Sequence, residues 1–209
     1  MRHIFQSAVL TLALAGCGSL SGDRANGFIN DDIARAFIPI DGRTMLVMPN
    51  SASGFVIEPG VGVTNAHVAD FIGNRPLIGM SHDYDLLFFR VANQQAPLSG
   101  SPRIGEQVVA YGNELDGTVR VAHGVVRGLD MPVKARCRTC VIQLSFVYEG
   151  NAGPGFSGGP VVDAATGQVV GITFGYDDVN GHRLMYAYPM SRVRNELAAI
   201  LHRLPSVAN

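Results

Sequence analysis

Three short segments of this 209-residue chain carry side chains whose types and spacing could do chemistry. Gly153-Pro154-Gly155-Phe156-Ser157-Gly158-Gly159-Pro160 sets one serine among glycines and prolines. A hydrolytic serine has to present its hydroxyl outward while backbone N–H groups converge on the point where an oxyanion forms. Side chains at Gly155 and Gly158 would obstruct the substrate or the bend, so small residues are what such a loop needs. Thr64-Asn65-Ala66-His67-Val68 places a histidine directly after an apolar strand. Asp83-Tyr84-Asp85-Leu86-Leu87-Phe88-Phe89 leads two carboxylates into another. Each segment also has a plainer reading: a surface histidine, a turn-forming aspartate, and a turn in which glycine serves only a positive φ.

The glycine-rich segment resembles the nucleophile loop of trypsin-like serine proteases. The order His67, Asp85, Ser157 is the chymotrypsin order, whereas subtilisins and α/β-hydrolases use others. Within that family the chain is most similar to the bacterial HtrA-like, trypsin-2 type, over about residues 53–193. Gly54-Phe55-Val56-Ile57 before the histidine, Gly167-Gln168-Val169-Val170-Gly171-Ile172 after the serine, and Ala187-Tyr188-Pro189 before a final helix carry the likeness. The resemblance implies a serine endopeptidase working through an acyl-enzyme, with no cofactor and no metal. In it Ser157 is the nucleophile, His67 the general base and later the acid, and Asp85 the group that orients His67. The backbone N–H groups of Gly155 and Ser157 form the oxyanion hole. Asp83, two positions from Asp85, remains open as the third member.

By the same alignment Asn151, Ala152 and Gly153 border the primary pocket on one side, with Thr173, Phe174 and Gly175 on the other. No carboxylate stands six positions before Ser157, although Glu149 is close, so a small or medium apolar residue is expected before the scissile bond. Phe174 and Tyr176 could equally be core aromatics. Phe156 occupies the position where trypsins carry aspartate and HtrA proteins usually asparagine, so activation by an ion pair to a new N-terminal amine is not expected. His67 and Asp85 lie 18 positions apart. That is shorter than in typical HtrA proteins and implies a trimmed hairpin in the first barrel. No PDZ domain is expected after Asn209.

Positioning these residues falls to many short strands. Apolar residues make up 47% of the chain and charged ones 16%, enough for a core, while 25 glycines and 11 prolines favour tight turns. A formal charge of −1 provides no basic field for nucleic acid. Strand patterns fall at 44–48, 54–58, 61–65, 77–80 and 84–91. A linker covers 93–104, and further strands fall at 107–111, 118–127, 139–147, 160–163, 169–174 and 183–188. Pro59-Gly60, Thr166-Gly167 and Asn180-Gly181 mark turns. A short helix is predicted over 31–37, capped by Asn30 and stopped by Pro39. A longer one over 191–204 starts at Ser191 and stops at Pro205, with Val193, Leu197, Ile200, Leu201 and Leu204 on one stripe. The class is all-β. With the resemblance it becomes two six-stranded-type antiparallel barrels (about 40–92 and 105–190) plus a C-terminal α-helix.

The N-terminus reads as an address. Arg2 and His3 precede an apolar run over 4–15, shorter than the roughly 20 residues a span needs. Leu14-Ala15-Gly16-Cys17 resembles the lipobox of bacterial lipoproteins, which implies a signal peptide over 1–16 and a lipidated Cys17. Residues 17–30 then form a flexible tether to a domain over 31–209. Gly18, in place of a retaining aspartate, favours the outer membrane. The expected setting is a lipid-anchored, periplasm-facing protein of the bacterial envelope with polypeptide substrates. Cys137 and Cys140 fit a local disulfide in that compartment; a redox pair lacks a βαβ context, and a zinc site lacks two further ligands. The alternative function is an inactive or latent protease-fold lipoprotein that binds peptides or envelope partners.

Overall fold

The computed structural model describes residues 22–42, 50–134 and 142–203. Cys17, Cys137, Cys140 and the strand predicted at 44–48 lie outside them. The described chain opens with strand β1 (Asp23–Arg24) and helix α1 (Asp31–Ala36). Asn30 caps α1 by accepting the Ile33 N–H at 2.9 Å, and Asp31 and Asp32 sit at the positive end of its dipole. Pro39 does not stop this helix. It lies inside the next strand, β2 (Phe37–Gly42), where an edge position leaves its missing N–H without consequence.

β2 begins a five-stranded antiparallel sheet completed by β3 (Asn50–Glu58), β4 (Val61–Thr64), β5 (Leu77–Met80) and β6 (Leu87–Arg90), in the order β2-β3-β4-β6-β5. Along the chain β5 is the one strand between β4 and β6, in keeping with the short step from His67 to Asp85. The first sheet counts five strands among the described residues, and the further strand predicted at 44–48 lies outside them. Side-chain alternation divides β6: Phe88 joins a core shared with the second sheet, while Leu87 and Phe89 pack with Ile40, Val68 and Ile72.

The second sheet contains β7 (Gln107–Asn113), β8 (Val119–Lys134), β9 (Ile142–Gly150), β10 (Pro160–Asp163), β11 (Val169–Val179) and β12 (His182–Pro189). Its order is β8-β7-β10-β11-β12-β9, and β9 pairs back onto β8, so these six strands close a barrel. Register breaks at Gly128 and Met131, with Asp130 at φ +51°, let the long β8 bend from β7 to β9. Asn180 (φ +52°) and Gly181 (φ +81°) make the tight turn between β11 and β12 that their dipeptide predicts.

Two predicted features change. Residues 17–30 were expected to be a flexible tether, yet β1 pairs with β8 from Asp23 onward. The last helix, α2 (Met190–Arg203), begins before Ser191, and Leu201 is 41% exposed although it belongs to the predicted stripe. Val193, Leu197 and Ile200 are buried, each worth about 1.5–3 kcal/mol against exposure. α2 leaves the second barrel and clasps the first. A side chain at Gly79 of β5 would meet Ile200 at 2.6 Å, and Ser81 Oγ donates to Glu196 Oε2 at 2.7 Å.

Candidate active site

Thr64 ends β4 with its hydroxyl donating to the Ser53 carbonyl at 2.7 Å, and a 3-10 turn over Ala66–Phe71 then presents His67. Asn65 Nδ2 donates to the Asp85 carbonyl at 2.9 Å, which holds the aspartate loop against this turn. Asp85 Oδ1 accepts the His67 backbone N–H at 2.9 Å, and Oδ2 lies 2.6 Å from His67 Nδ1. The Asp85 side chain is 6% exposed and that of His67 40%. An ionised carboxylate only accepts, so Nδ1 carries the hydrogen and Nε2 is left free to take a proton. Asp83 is elsewhere: its carboxylate accepts from His82 Nδ1 at 2.9 Å, and its carbonyl accepts from Gln143 Nε2.

A brace from the second barrel supports the aspartate. The Tyr188 hydroxyl accepts the Asp85 N–H at 3.4 Å and donates to Gln143 Oε1, and the Tyr188 ring stacks on Phe174 at 4.0 Å. Burial pushes the Tyr188 phenol well above its ordinary value, and the negative charge of Asp85 adds to the rise. Sequence reasoning gave Gln143 and Tyr188 no role at the site, because the bonds that bring them there cross to Asp83 and Asp85 in the other barrel.

Ser157 follows Phe156, the residue at which two successive turns join. Phe156 N–H donates to the Gly153 carbonyl at 3.1 Å and Gly159 N–H to the Phe156 carbonyl at 2.9 Å. In the first turn Pro154 precedes Gly155 (φ +90°), and in the second Ser157 precedes Gly158 (φ +80°), the positive-φ pattern of type II turns. A Cβ at Gly155 would overlap the Asn113 carbonyl oxygen, and one at Gly158 the Ser53 carbonyl. The Gly155 carbonyl is pinned by Asn113 N–H at 3.1 Å and Ser53 Oγ at 2.8 Å, and the Ser157 carbonyl accepts Ser53 N–H at 2.8 Å. The N–H groups of Gly155 and Ser157 have no acceptor among the described residues, and neither does the Ser157 hydroxyl.

His67, Asp85 and Ser157 line one cavity of about 300 Å³, bordered also by Gly153, Thr173, Phe174 and Gly175. Asn151 is not there; it borders a separate, wider hollow of about 790 Å³. Glu149 borders that other hollow too. Hydrogen bonds from His182 and Arg127 hold its carboxyl below the usual range. Ala152 is buried in the second barrel's core. The sequence reading missed Met185 of β12 and Asp177, which also line the cavity, Asp177 accepting from the Tyr186 hydroxyl at 3.0 Å. Register alone brings Met185 in, since it pairs with Tyr176 across the hairpin. Phe174 is mostly a core aromatic, and Tyr176 carries the Arg183 guanidinium 4.5 Å above its ring. Among the described residues no cluster of three or more His, Cys, Asp or Glu could hold a metal ion, and no helix is long and apolar enough to cross a membrane.

Residues 72–172 match a family model described as a trypsin-like peptidase domain, a span that includes Asp85 and Ser157 and begins just after His67. Solved structures resemble nearly the whole chain. Rv3671c from M. tuberculosis H37Rv, as a serine-to-alanine mutant in an inactive form, is 19% identical with a TM-score of 0.67, covering 88% of this chain and 98% of its own. A serine-to-alanine variant of the HtrA-type protease AlgW with a tripeptide is 20% identical at a TM-score of 0.65, with 85% of this chain and 64% of that one covered. The MamO protease domain from Magnetospirillum magneticum is 19% identical at 0.60, with coverages of 78% and 96%. The fold is the chymotrypsin-like double β-barrel. On this double barrel the candidate site lies at the seam, with His67 and Asp85 contributed by the first sheet and Ser157 by the second. No curated protein matches the chain in sequence.

Proposed function

We propose that the chain is a serine endopeptidase that cleaves polypeptides through Ser157, His67 and Asp85. The observation that carries this reading is the two-point grip of Asp85 on His67, at 2.9 and 2.6 Å, in the same cavity as Ser157. In the first step Ser157 Oγ attacks the substrate carbonyl carbon while His67 Nε2 takes the hydroxyl proton. The oxyanion so formed accepts from the N–H groups of Gly155 and Ser157. Collapse breaks the C–N bond, and His67 returns its proton to the departing amine. Water, deprotonated by His67, then attacks the acyl-enzyme, and Ser157 leaves with the proton. Asp85 keeps the imidazole in the productive tautomer throughout and stabilises its charged form.

Thr173, Phe174 and Met185 around the cavity support a small or medium apolar residue before the scissile bond. The lipobox-like segment supports acylation at Cys17 and a place on a bacterial envelope membrane, facing the periplasm. One observation favours a second reading, a latent or peptide-binding protein: the Ser157 hydroxyl has no hydrogen-bond partner among the described residues. Such bonds often tighten only once substrate is bound.

Labelling of the full-length chain by a fluorophosphonate probe separates the two. The endopeptidase reading expects stoichiometric labelling of the wild type, none of Ser157→Ala, and slowing of about 10³-fold or more for His67→Ala. A folded wild type that does not label sinks it and leaves the latent reading. For the pocket, cleavage of a peptide library mainly after Lys or Arg would overturn the apolar preference.

A further inference from the structure

Phe156 is the one bulky side chain between the two oxyanion donors, Gly155 and Ser157, and its ring is turned away from the cleft. It is 1% exposed and packs in the second barrel's core. Two glycines form its socket. A Cβ at Gly112 of β7 would come within 2.6 Å of Phe156 Cδ2, and one at Gly22 within 2.8 Å of Phe156 Cζ. Gly22 is sequence-remote and belongs to the segment just before β1. Its N–H donates to the Asn151 carbonyl at 2.9 Å, Asp23 and Arg24 pair with Val121 and Arg120 of β8, and Ala25 N–H donates to the Val119 carbonyl at 2.9 Å. The N-terminal segment therefore reaches the nucleophile loop at the Phe156 ring and the residues leading into that loop at the Asn151 carbonyl.

We infer that residues 22–25 form a strap that holds Phe156 in its socket and thereby sets the amides of Gly155 and Ser157, making Gly22 and Phe156 positioning residues for the oxyanion site. The inference rests on the endopeptidase reading for its catalytic consequence. The coupling is mechanical. Phe156 contributes a backbone group to each of the two turns around Ser157, donating to Gly153 and accepting from Gly159. With the strap lifted, one wall of the socket opens to water, and burial no longer fixes the ring. The peptide plane between Phe156 and Ser157, which carries the Ser157 N–H, then rotates, and that donor no longer converges with the Gly155 N–H within hydrogen-bond reach of one oxygen.

Two variants of the full-length chain lift the strap without touching the cleft. Gly22→Val forces a branched side chain onto φ +69°, with its Cβ 2.7 Å from the Val121 carbonyl oxygen. Ala25→Pro removes the N–H that donates to Val119. Hydrogen exchange of residues 151–160 and the rate of fluorophosphonate labelling are read together with circular dichroism and thermal melts. Both variants are expected to stay folded, with faster exchange in 151–160 and labelling slowed at least about tenfold, part of what losing one oxyanion donor costs. With a peptide substrate, kcat falls while KM holds. A peptide of residues 18–27 added to Ala25→Pro restores labelling. Folded variants with wild-type exchange and labelling overturn the inference, as does a loss of labelling that follows melting temperature alone. A wild type that never labels, but whose loop exchange rises in both variants, sinks the endopeptidase reading while the strap stands.

Discussion

Asp85 spends both carboxylate oxygens on one residue, fixing the backbone and the ring of His67 at once. Gly155 is as tightly specified on the other side of the cleft, because its positive φ aims the amide and the Asn113 carbonyl fills the space a side chain would need. Gly155→Ala is therefore expected to lower kcat by about 10²–10³, the cost of one oxyanion donor, with little change in KM. Steady-state kinetics test this, and a KM effect with kcat intact would place Gly155 in substrate binding instead. Glycines and serine were legible in the sequence because so few residue types suit such a loop. The choice between Asp83 and Asp85 was not, since two positions on one segment look alike until the fold turns the Asp85 carboxylate onto His67 and the Asp83 carboxylate onto His82. Asn151 fell on the wrong side for a similar reason: spacing counts residues along the loop, but the closed barrel decides which hollow each one faces.

At the level of strands, β9 and β12 each bury a tyrosine behind the site. Burial pushes the Tyr148 phenol far up, with the hydrogen bond to Thr173 opposing, and Tyr188 is raised by burial and then by Asp85. The folded protein thus keeps these phenols neutral where the unfolded chain ionises them, near pH 10. Their contribution is present below about pH 10 and is lost as pH rises above it, by about 1.4 kcal/mol per pH unit for each tyrosine. Tyr148→Phe should make the alkaline loss of stability shallower by about that slope, which urea unfolding between about pH 10 and 12 measures. Equal slopes in the two proteins would show that Tyr148 ionises freely in the fold. The same variant should cost about 1 kcal/mol at neutral pH, because Thr173 Oγ1 loses its 3.0 Å partner. Turn chemistry announced the hairpin at Asn180-Gly181, whereas β8 runs well beyond its predicted end because its second half pairs with β9 after a bulge. Pro39 misled as a helix stop, since an edge strand accepts it equally well.

Across the whole molecule, the chain crosses between barrels repeatedly: α2 returns to β5, Tyr188 reaches Asp85, and the N-terminal strap lies on the second barrel before the first begins. Short strands between tight turns made the all-β class readable, and the resemblance to trypsin-like proteases added the double barrel. The strap was invisible because Gly-Asp-Arg-Ala carries no strand pattern of its own; β8 supplies the pairing. For the proposed acylation, Cys17→Ser should move the chain from the membrane fraction to the soluble one, and retention at the membrane would overturn the anchor. The docked Gly22 then limits how the proposed peptidase could be deployed. A loose tether over residues 18–27 would give a reach of roughly 33 Å, but an acylated Cys17 is separated from docked Gly22 only by residues 18–21, a leash of roughly 17 Å at full extension. Under the proposed acylation and peptidase reading, the site would have almost no catchment beyond the bilayer surface: it would work on chains that arrive at the membrane, and soluble proteins in mid-compartment would pass out of range.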